Sequence, residues 1–329
     1  MTSLIPQSPS GRRTRIGVLV DWLEDKYQNA VMLGIHEAAR RMDVDLLIFT
    51  GGVLDSPQRQ GRQRNSVYRL PQASNLDGLL VMTGAIGNYV TVQRMAEFCR
   101  QFHPLPMCSI AVRLPGMPSV LVDNAAGMRE AVEHLVDIHG ARRIAFIRGP
   151  ESNDEAAVRF EAYRQVLAES GISYDPDLVA IGDFQRMGGA AAMAQLVERP
   201  GAIDAVIAAN DAMALGALDV LRLNGMKVPE QVAVVGFDDI EEVRYSTPPL
   251  TTVRQPLAEQ GRRAVELLLG QIRGSRTLQS TVLHTELVAR RSCGCFSHDS
   301  ASHTVTAADS GPASAQRYFD RHRGDVLVE

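Results

Sequence analysis

Short apolar segments alternate with amphipathic ones along most of the chain, and this pattern is clearest between residues 203 and 256. Two apolar runs there, 204–209 and 232–237, are rich in β-branched residues and suit strands buried on both faces of a parallel sheet. Between them, residues 211–224 have helical spacing, with polar capping residues before the helix and a glycine after it. This segment therefore predicts a right-handed strand–helix–strand crossover.

The same alternation extends through the rest of the chain and predicts a long α/β protein. Further strands are expected at 15–20, 45–50, 77–82, 107–112, 119–123, 143–148, 178–182 and 281–289. Further helices are expected at 28–42, 60–70, 88–102, 124–139, 154–170, 187–198 and 257–272. Residues 1–14 and 297–329 lack this periodicity and are expected to be a disordered N-terminus and a flexible tail.

Polar pairs follow the two strands of the crossover. Asn210 and Asp211 come after the first strand, and Asp238 and Asp239 after the second. In open α/β sheets, ligands bind outside the carboxyl ends of the strands, so these side chains are candidates for binding a small molecule. The alternative is that they cap helices and form turns.

Composition and charge narrow the class of function. Apolar residues make up 45% of the 329 residues and charged residues 22%, which suits a globular protein of two domains. The net charge of −4 argues against a general phosphate-binding surface, although it leaves room for a local basic patch.

The cysteines and histidines predict no metal site. The four cysteines are Cys99, Cys108, Cys293 and Cys295. Cys293 and Cys295 form a single pair without a second pair nearby, so we expect reduced, inert thiols rather than a redox or metal site. His36, His134 and His139 fall on predicted helices as ordinary polar positions. No nucleotide-binding glycine motif or nucleophile elbow occurs, so we expect neither catalytic residues nor a cofactor.

The N-terminus bears on location. Residues 1–15 are polar and basic, and the apolar run after them is too short for a signal-peptide core. No apolar run is long enough for a membrane helix. We therefore expect a cytoplasmic protein that does not contact a membrane.

Three segments, ANDAMALGAL, NGMKVPEQVAVVGFDD and TPPLTTVRQP, resemble the effector-binding core of LacI/GalR-type bacterial regulators. The resemblance implies two doubly wound parallel-sheet lobes joined by a multi-segment hinge, as in type I periplasmic binding proteins. It places 15–121 and 254–279 in an N-terminal lobe, and 122–253 and 280–292 in a C-terminal lobe. It also implies a homodimer and a small-molecule effector bound between the lobes.

The resemblance assigns ligand contacts in the second lobe. Arg159 matches an effector-binding arginine, although Ala162 stands where the family pattern has glycine; a surface ion pair is the alternative role. Phe184 matches an aromatic wall of the ligand site, with core packing as the alternative. Asn210 and Asp238 match contact positions, with helix capping as the alternative.

Further candidates lie at the lobe crossings. Gln255, in TTVRQ, is a weaker match to a ligand contact. Asp123 and Asn124, in VDNAAGM, match a segment that is expected to hold the hinge more than the ligand.

The first lobe departs from the family pattern. The usual loop after strand one is short, whereas this chain has DWLEDKYQ. Trp22 and Tyr27 are candidates to close over the ligand, although Trp22 equally suits a plug in the first lobe. Thr83, followed by Gly84, offers a hydroxyl group and close backbone approach at the end of strand three.

This loop, with TGAIGNYV and ARRSCGC, resembles a subgroup fused to signalling outputs such as diguanylate cyclase or histidine kinase modules. Members that repress genes carry an N-terminal helix-turn-helix, which the residues before the first strand are too few to form. We therefore expect no direct sequence-specific DNA binding by this chain.

Three functions follow from these observations. The first is a small-molecule sensor, for a sugar-like or nucleoside-like effector, that signals by lobe closure to a partner protein. The second is a transcriptional regulator acting with a DNA-binding partner. The third, an α/β enzyme, lacks a supporting motif.

Overall fold

The computed structural model describes residues 12–57, 59–275 and 279–296. The expected disordered N-terminus falls almost wholly on residues before 12, and the expected flexible tail on residues after 296. Residues 1–11 and 297–329 lie outside the described residues, whereas Arg12 pairs with Asp77 and Thr14 already belongs to the first strand, contrary to the expectation of disorder there.

The first lobe is built on a six-stranded sheet. Its strands are β1 (Thr14–Val20), β2 (Val44–Thr50), β3 (Gly78–Val81), β4 (Met107–Ile110), β5 (Ser119–Val122) and β11 (Thr281–Leu283). They lie in the order β11-β5-β4-β3-β1-β2, and all the pairs are parallel. Strands β1 and β3 are almost wholly buried, as expected for a sheet covered on both faces.

The described helices of this lobe are α1 (Lys26–Arg41), α2 (Arg59–Arg64), α3 (Thr83–Ile86), α4 (Val92–Arg100) and α9 (Leu257–Ile272). Helices α1 and α9 pack closely, because Gly34 and Gly261 leave no side chain between them. A Cβ on Gly34 would lie 1.8 Å from the carbonyl oxygen of Ala258. Their apolar faces cover one side of the sheet, and a cluster around Tyr68 and Phe98 covers the other.

The second lobe repeats the plan. Its strands are β6 (Ile144–Arg148), β7 (Val179–Ile181), β8 (Ala205–Ala208), β9 (Ala233–Asp238), β10 (Thr251–Arg254) and β12 (Glu286–Val288). They lie in the order β12-β10-β9-β8-β6-β7, and β12 alone among these described strands is antiparallel to its neighbour. Its helices are α5 (Asn124–Glu133), α6 (Asp154–Glu169), α7 (Arg186–Val197) and α8 (Asp211–Leu223).

The crossover predicted between residues 204 and 237 is present as β8, α8 and β9. Asn210 caps α8, with its side chain accepting a hydrogen bond from the Met213 amide. Gly225 follows the helix with a φ of 68°, a left-handed conformation that glycine adopts without strain. The predicted fold class, two doubly wound lobes, is confirmed.

The chain crosses between the sheets after β5, after β10 and between β11 and β12. The last crossing corrects two expectations. Residues 281–289 form two short strands rather than one, and Thr281–Leu283 pairs with β5 of the first sheet, although the sequence boundary put residues 280–292 in the second lobe. The strand breaks because residues 284–285 carry the chain from one sheet to the other.

Two predicted helices also differ. Residues 88–102 contain α4 alone, because Thr91 caps a new helix there and accepts a hydrogen bond from the Arg94 amide. Helix α5 ends at Glu133, and a π-helical turn, His134–Ile138, continues it. Among the described residues, no helix is long and apolar enough to cross a membrane.

Candidate functional site

A cavity of about 60 Å³ lies between the two lobes, at the carboxyl ends of β1, β8 and β9. The first lobe lines it with Asp21, Asp25, Tyr27, Gln28, Gly84, Ala85 and Asn88. The second lobe lines it with Glu155, Arg159, Phe184, Gln185, Asn210 and Asp238. A cavity that holds a six-membered carbon ring has about 150 Å³, so a ligand larger than that requires the lobes to move apart.

Arg159 is the central cation of the second-lobe wall. Helix α6 places it, and its side chain is buried. Its Nε donates to Asn124 Oδ1 at 2.7 Å, and Nη1 donates to the Ala209 carbonyl oxygen at 2.6 Å. The guanidinium also lies 3.9 Å from the ring centroid of Phe237. Contacts within its own lobe therefore hold Arg159 in place.

Two buried carboxylates flank this guanidinium. Glu155 Oε1 lies 3.5 Å from Nη2 of Arg159, and Asp238 Oδ1 lies 3.9 Å from Nη1. Burial raises the pKa of Glu155 and raises that of Asp238 well above its usual range, although Arg159 opposes both shifts. The Gln255 amide donates to Asp238 at 2.6 Å, and the Asn124 amide donates to Glu155 at 3.0 Å. The polar groups thus form one connected network behind the cavity.

Asn210 and Phe184 are linked across the rim of the second lobe. The Asn210 side-chain amide donates to the Phe184 carbonyl oxygen at 3.0 Å. Phe184 has a φ of 66° and its ring packs over Gly149, where a Cβ would lie 2.4 Å from the ring. Asn210 caps α8, which was the alternative role expected from the sequence, and it also lines the cavity.

On the first lobe, Asp21 and Gln28 form a buried pair. The Gln28 amide lies 2.9 Å and 3.2 Å from the two carboxylate oxygens of Asp21. Burial raises the pKa of Asp21 to about 6, and the hydrogen bond from Gln28 only partly offsets that shift. Asp21 directly follows β1, so the strand places this carboxylate in the cleft.

Asp25 and Tyr27 follow at the start of α1. Asp25 caps the helix by accepting a hydrogen bond from the Tyr27 amide at 3.0 Å, and the Gln185 side chain of the second lobe lies near the same carboxylate. Burial raises the pKa of Asp25, and it raises that of the Tyr27 hydroxyl well above its usual range. The Tyr27 hydroxyl is therefore a neutral hydrogen-bonding group in the cleft.

The lobes touch along one side of the cavity. The Asn153 amide lies 3.1 Å from the side-chain oxygen of Asn88, and the Ser152 hydroxyl donates to the Asn88 carbonyl oxygen at 3.1 Å. Gly84 is pressed between lobes: a Cβ there would lie 2.7 Å from Glu155 Oε2. The close backbone approach expected at Gly84 is thus toward the opposite lobe.

Five of the predicted contact residues come together at the cavity: Arg159, Phe184, Asn210, Asp238 and Tyr27. Gln255 stands behind Asp238 as a hydrogen-bond donor and does not line the cavity. Thr83 is also away from the cavity wall, because its buried hydroxyl is engaged with Ser109 and the Ile110 carbonyl oxygen.

Trp22 lies outside the cavity and plugs no core. Its side chain is 40% exposed, and the Arg64 guanidinium sits 3.9 Å above its ring. The two hinge candidates divide: Asp123 caps α5 by accepting from the Ala126 amide, whereas Asn124 joins the network of Arg159.

Sequence reasoning missed part of the lining: Asp21, Asp25, Gln28, Ala85, Asn88, Glu155 and Gln185. For Asp21 a signal existed, since it ends a buried strand as Asn210 and Asp238 do. For Asn88 and Gln185 there was none, because loops that only meet through lobe closure give no local pattern.

A second group of side chains meets on the far side of the second lobe. His134 and His139, at the π-helical turn, lie with Cys293 and Cys295, and one ligand atom of each lies within 4.8 Å of all the others. His134 and Cys293 are buried, whereas Cys295 is exposed. The sequence predicts an inert pair of thiols at Cys293 and Cys295 and ordinary polar positions at His134 and His139, and it gives no sign that the two pairs meet.

Comparison with known proteins agrees with this architecture. A family described as "Periplasmic binding protein-like domain" matches residues 132–293. The transcriptional repressor CytR of Escherichia coli K12 is 32% identical over 295 residues, which cover 88% of this chain and 83% of CytR. The transcriptional regulator CelR of Thermobifida fusca is 44% identical over 172 residues, 52% of this chain and half the length of CelR.

Solved structures give the same result. The complex of the transcriptional regulator CelR with cellobiose superposes with a TM-score of 0.74 at 31% identity and covers 85% of each chain. A LacI family transcriptional regulator from Mycobacterium smegmatis superposes with a TM-score of 0.74 at 30% identity, covering 84% of this chain and 98% of the other. The chain belongs to the LacI family and carries that family's periplasmic binding protein-like effector domain.

Proposed function

We propose that this protein regulates transcription in response to a neutral, hydroxyl-rich small molecule bound between its lobes. The observation that carries the proposal is the chemistry of the cavity wall. Its lining has four carboxyl groups, on Asp21, Asp25, Glu155 and Asp238, around the single cation Arg159. Carboxylate and amide oxygens accept hydrogen bonds from hydroxyl groups, and the charged carboxylates repel phosphate and carboxylate ligands.

A sugar fits this wall better than an anionic ligand does. Tyr27 and Phe184 supply aromatic faces of the kind that pack against sugar C–H groups. The similar CelR, which has been solved with cellobiose, supports a saccharide as the ligand class. The same aromatic faces suit a nucleobase, so nucleosides form the second class to be tested.

Lobe closure couples binding to the output. The hydrogen bonds of Asn88 with Ser152 and with Asn153 join the two lobes beside the cavity. A ligand held by both lobes stabilises this closed arrangement relative to an open one. The output is transcription, exerted as a homodimer on DNA directly or through a DNA-binding partner.

A ligand panel tests the proposal. Thermal unfolding of the full chain is followed with mono- and disaccharides, nucleosides and sugar phosphates. A ligand at 100 times its Kd adds about 2.7 kcal/mol to the free energy of unfolding. We expect neutral saccharides to raise the Tm and sugar phosphates to leave it unchanged. A rise with sugar phosphates alone would contradict the proposal.

Asp25→Asn supplies the matched variant. Asparagine caps a helix as well as aspartate does, so α1 is retained while one carboxylate leaves the cleft. We expect ligand affinity to fall about tenfold, the loss of one charge-assisted hydrogen bond. Glu24→Gln is the control, because Glu24 is exposed one residue away and lies outside the cavity lining. If both substitutions lowered ligand affinity equally, Asp25 would not be a ligand contact.

A further inference from the structure

The geometry points to a structural zinc site formed by His134, His139, Cys293 and Cys295. Four protein ligands of the Cys₂His₂ type make a closed tetrahedral site, which leaves no position for a substrate. Two thiolates with two imidazoles in this arrangement favour zinc over magnesium or calcium, which prefer oxygen. The site is independent of the effector cleft and of the proposed function.

The distances between the four ligand atoms carry the inference. Nε2 of His139 lies 3.2 Å from Nε2 of His134, and Sγ of Cys295 lies 3.4 Å from each of these nitrogens. Sγ of Cys293 lies 3.4 Å from Nε2 of His134. A tetrahedral zinc with ordinary bond lengths, ~2.0–2.1 Å to nitrogen and ~2.3 Å to sulfur, separates its ligand atoms by ~3.3–3.8 Å.

Mutual hydrogen bonding does not account for this arrangement. Nε2 of His134 has three neighbours at 3.2–3.4 Å: His139, Cys293 and Cys295. An imidazole nitrogen has one lone pair or one hydrogen, directed along the ring plane, so it satisfies one such neighbour well. Four atoms that converge on a common point are instead the arrangement that a shared cation requires.

The fold builds each pair of ligands separately. In an α-helix, side chains five residues apart point about 140° away from each other, so His134 and His139 would diverge. The π-helical turn His134–Ile138 widens the helix and brings both imidazoles to one face. Their ring centroids are 4.9 Å apart.

The Cys-Gly-Cys segment is fixed against the sheet of the second lobe. The Ser292 hydroxyl donates to the Val234 carbonyl oxygen at 2.6 Å and accepts from the Thr251 amide at 2.8 Å. Gly294, with a φ of 107°, turns the chain so that both sulfurs face the histidines. Cys295 is exposed, which gives a metal ion access from solvent.

Metal analysis of the full-length protein, purified with reductant and without chelator, tests the site. We expect inductively coupled plasma mass spectrometry to find about one zinc ion per chain. Cys295→Ser and His139→Asn should reduce it at least tenfold, and both positions are exposed or half-buried enough for the variants to fold. Cys99→Ala and His36→Asn are the matched controls, since one is a buried thiol and the other an exposed helical histidine of the first lobe.

Cobalt gives an independent readout of geometry. Metal-free protein titrated with Co²⁺ should show the intense visible absorption of tetrahedral cobalt and a thiolate charge-transfer band, and Cys295→Ser should lose both. Folding of each sample is checked by circular dichroism. Folded wild-type protein that takes up neither zinc nor cobalt would overturn the proposal. Full metal content in Cys295→Ser, or a Cys293–Cys295 disulfide in the reduced preparation, would overturn it as well.

Discussion

The second lobe builds its side of the cleft around one arginine that its own lobe holds, whereas the first lobe presents carboxylates and an amide from the end of β1 and the start of α1. Arg159 has hydrogen bonds to Asn124 and Ala209, and Glu155 and Asp238 flank it. The Asp21 carboxylate accepts its side-chain hydrogen bonds from Gln28, which belongs to the same lobe. The second lobe is therefore preorganised, and the first lobe carries groups that a ligand is free to engage.

This difference assigns distinct roles to the two walls. A rigid wall lowers the entropy that binding must remove, which favours affinity for any ligand with the right polar groups. The first-lobe wall selects among ligands, because its buried carboxyl groups lose binding free energy when a ligand leaves them without a hydrogen-bond donor. Affinity should thus depend most on second-lobe residues, and selectivity most on first-lobe residues.

The largest effect should come from breaking the network of the second lobe. Arg159→Ala leaves the buried Glu155 and Asp238 without their cation. Loss of one partner from a buried ion pair costs about 3–5 kcal/mol, so we expect a large drop in the free energy of unfolding and loss of effector binding. Urea denaturation measures the drop.

Arg164→Ala is the control for this change. Arg164 lies on the same helix, α6, but is exposed and pairs with Glu161. Exposed pairs contribute about 0–1 kcal/mol. If both variants were destabilised equally, the claim that own-lobe contacts organise the second-lobe wall would fail.

The pH dependence of stability should reveal Asp21. With its pKa raised to about 6 from 3.8, the folded chain keeps a proton that the unfolded chain releases between these values. Stability contributed by the protonated form is therefore lost as the pH rises through this window, up to ~3 kcal/mol above pH 6.

Asp21→Asn should flatten that dependence. Its carbonyl oxygen still accepts from Gln28, but it carries no charge to bury. We expect the variant to gain stability over wild type at pH 7 and to match it near pH 4, as measured by urea denaturation at both values. If the free energy of unfolding changed with pH in the same way in both proteins, Asp21 would not be the source of this pH dependence. The comparison cancels Asp211, whose pKa is also raised, to about 7.

A third substitution, Gly84→Ala, tests whether closure of the lobes limits effector binding. Gly84→Ala places a methyl group 2.7 Å from Glu155 Oε2 and 2.7 Å from the Cβ of Ala111. The Glu155 carboxylate or the whole second lobe must then move away from this methyl group, and we expect effector affinity to fall about tenfold, or ~1.4 kcal/mol. Calorimetric titration measures this loss. Gly270→Ala is the control, since the nearest atom to its Cβ is 3.9 Å away, and unchanged affinity in Gly84→Ala would show that closure is not limiting.

The sequence predicted the second lobe better than the first. The apolar runs, the caps and the polar strand ends of 204–239 depend on local pattern, and the structure has them as β8, α8 and β9. Asp21 also follows a buried strand, but the unusual loop after it contains aromatic residues, and the sequence made Trp22 a candidate instead. Local periodicity cannot show which loops meet, so Asn88 and Gln185 were out of reach.

The cluster of histidines and cysteines was missed for a different reason. In a regular α-helix, His134 and His139 would lie on different faces, and the π-helical turn brings them to one face. Cys293 and Cys295 come from the far end of the chain, and tertiary packing alone brings them to the helix. A single extra residue in a helical turn is too small a signal for hydrophobic periodicity to show.

The smallest effect should be at Trp22, for which the sequence left two roles open, a lid over the ligand and a plug in the first lobe. Its ring is 40% exposed and contacts the Arg64 guanidinium rather than the cavity. Trp22→Ala should cost about 0.5–1 kcal/mol, the value of an exposed cation–π contact, and leave the effector Kd within about twofold of wild type. Tyr27→Phe, which removes a hydroxyl from the cleft, should weaken binding more, because Tyr27 lines the cavity. A Trp22→Ala variant with the larger loss of affinity would mean that the loop after β1 closes over the ligand, and that the selectivity of the first lobe depends on this ring as well as on its carboxylates.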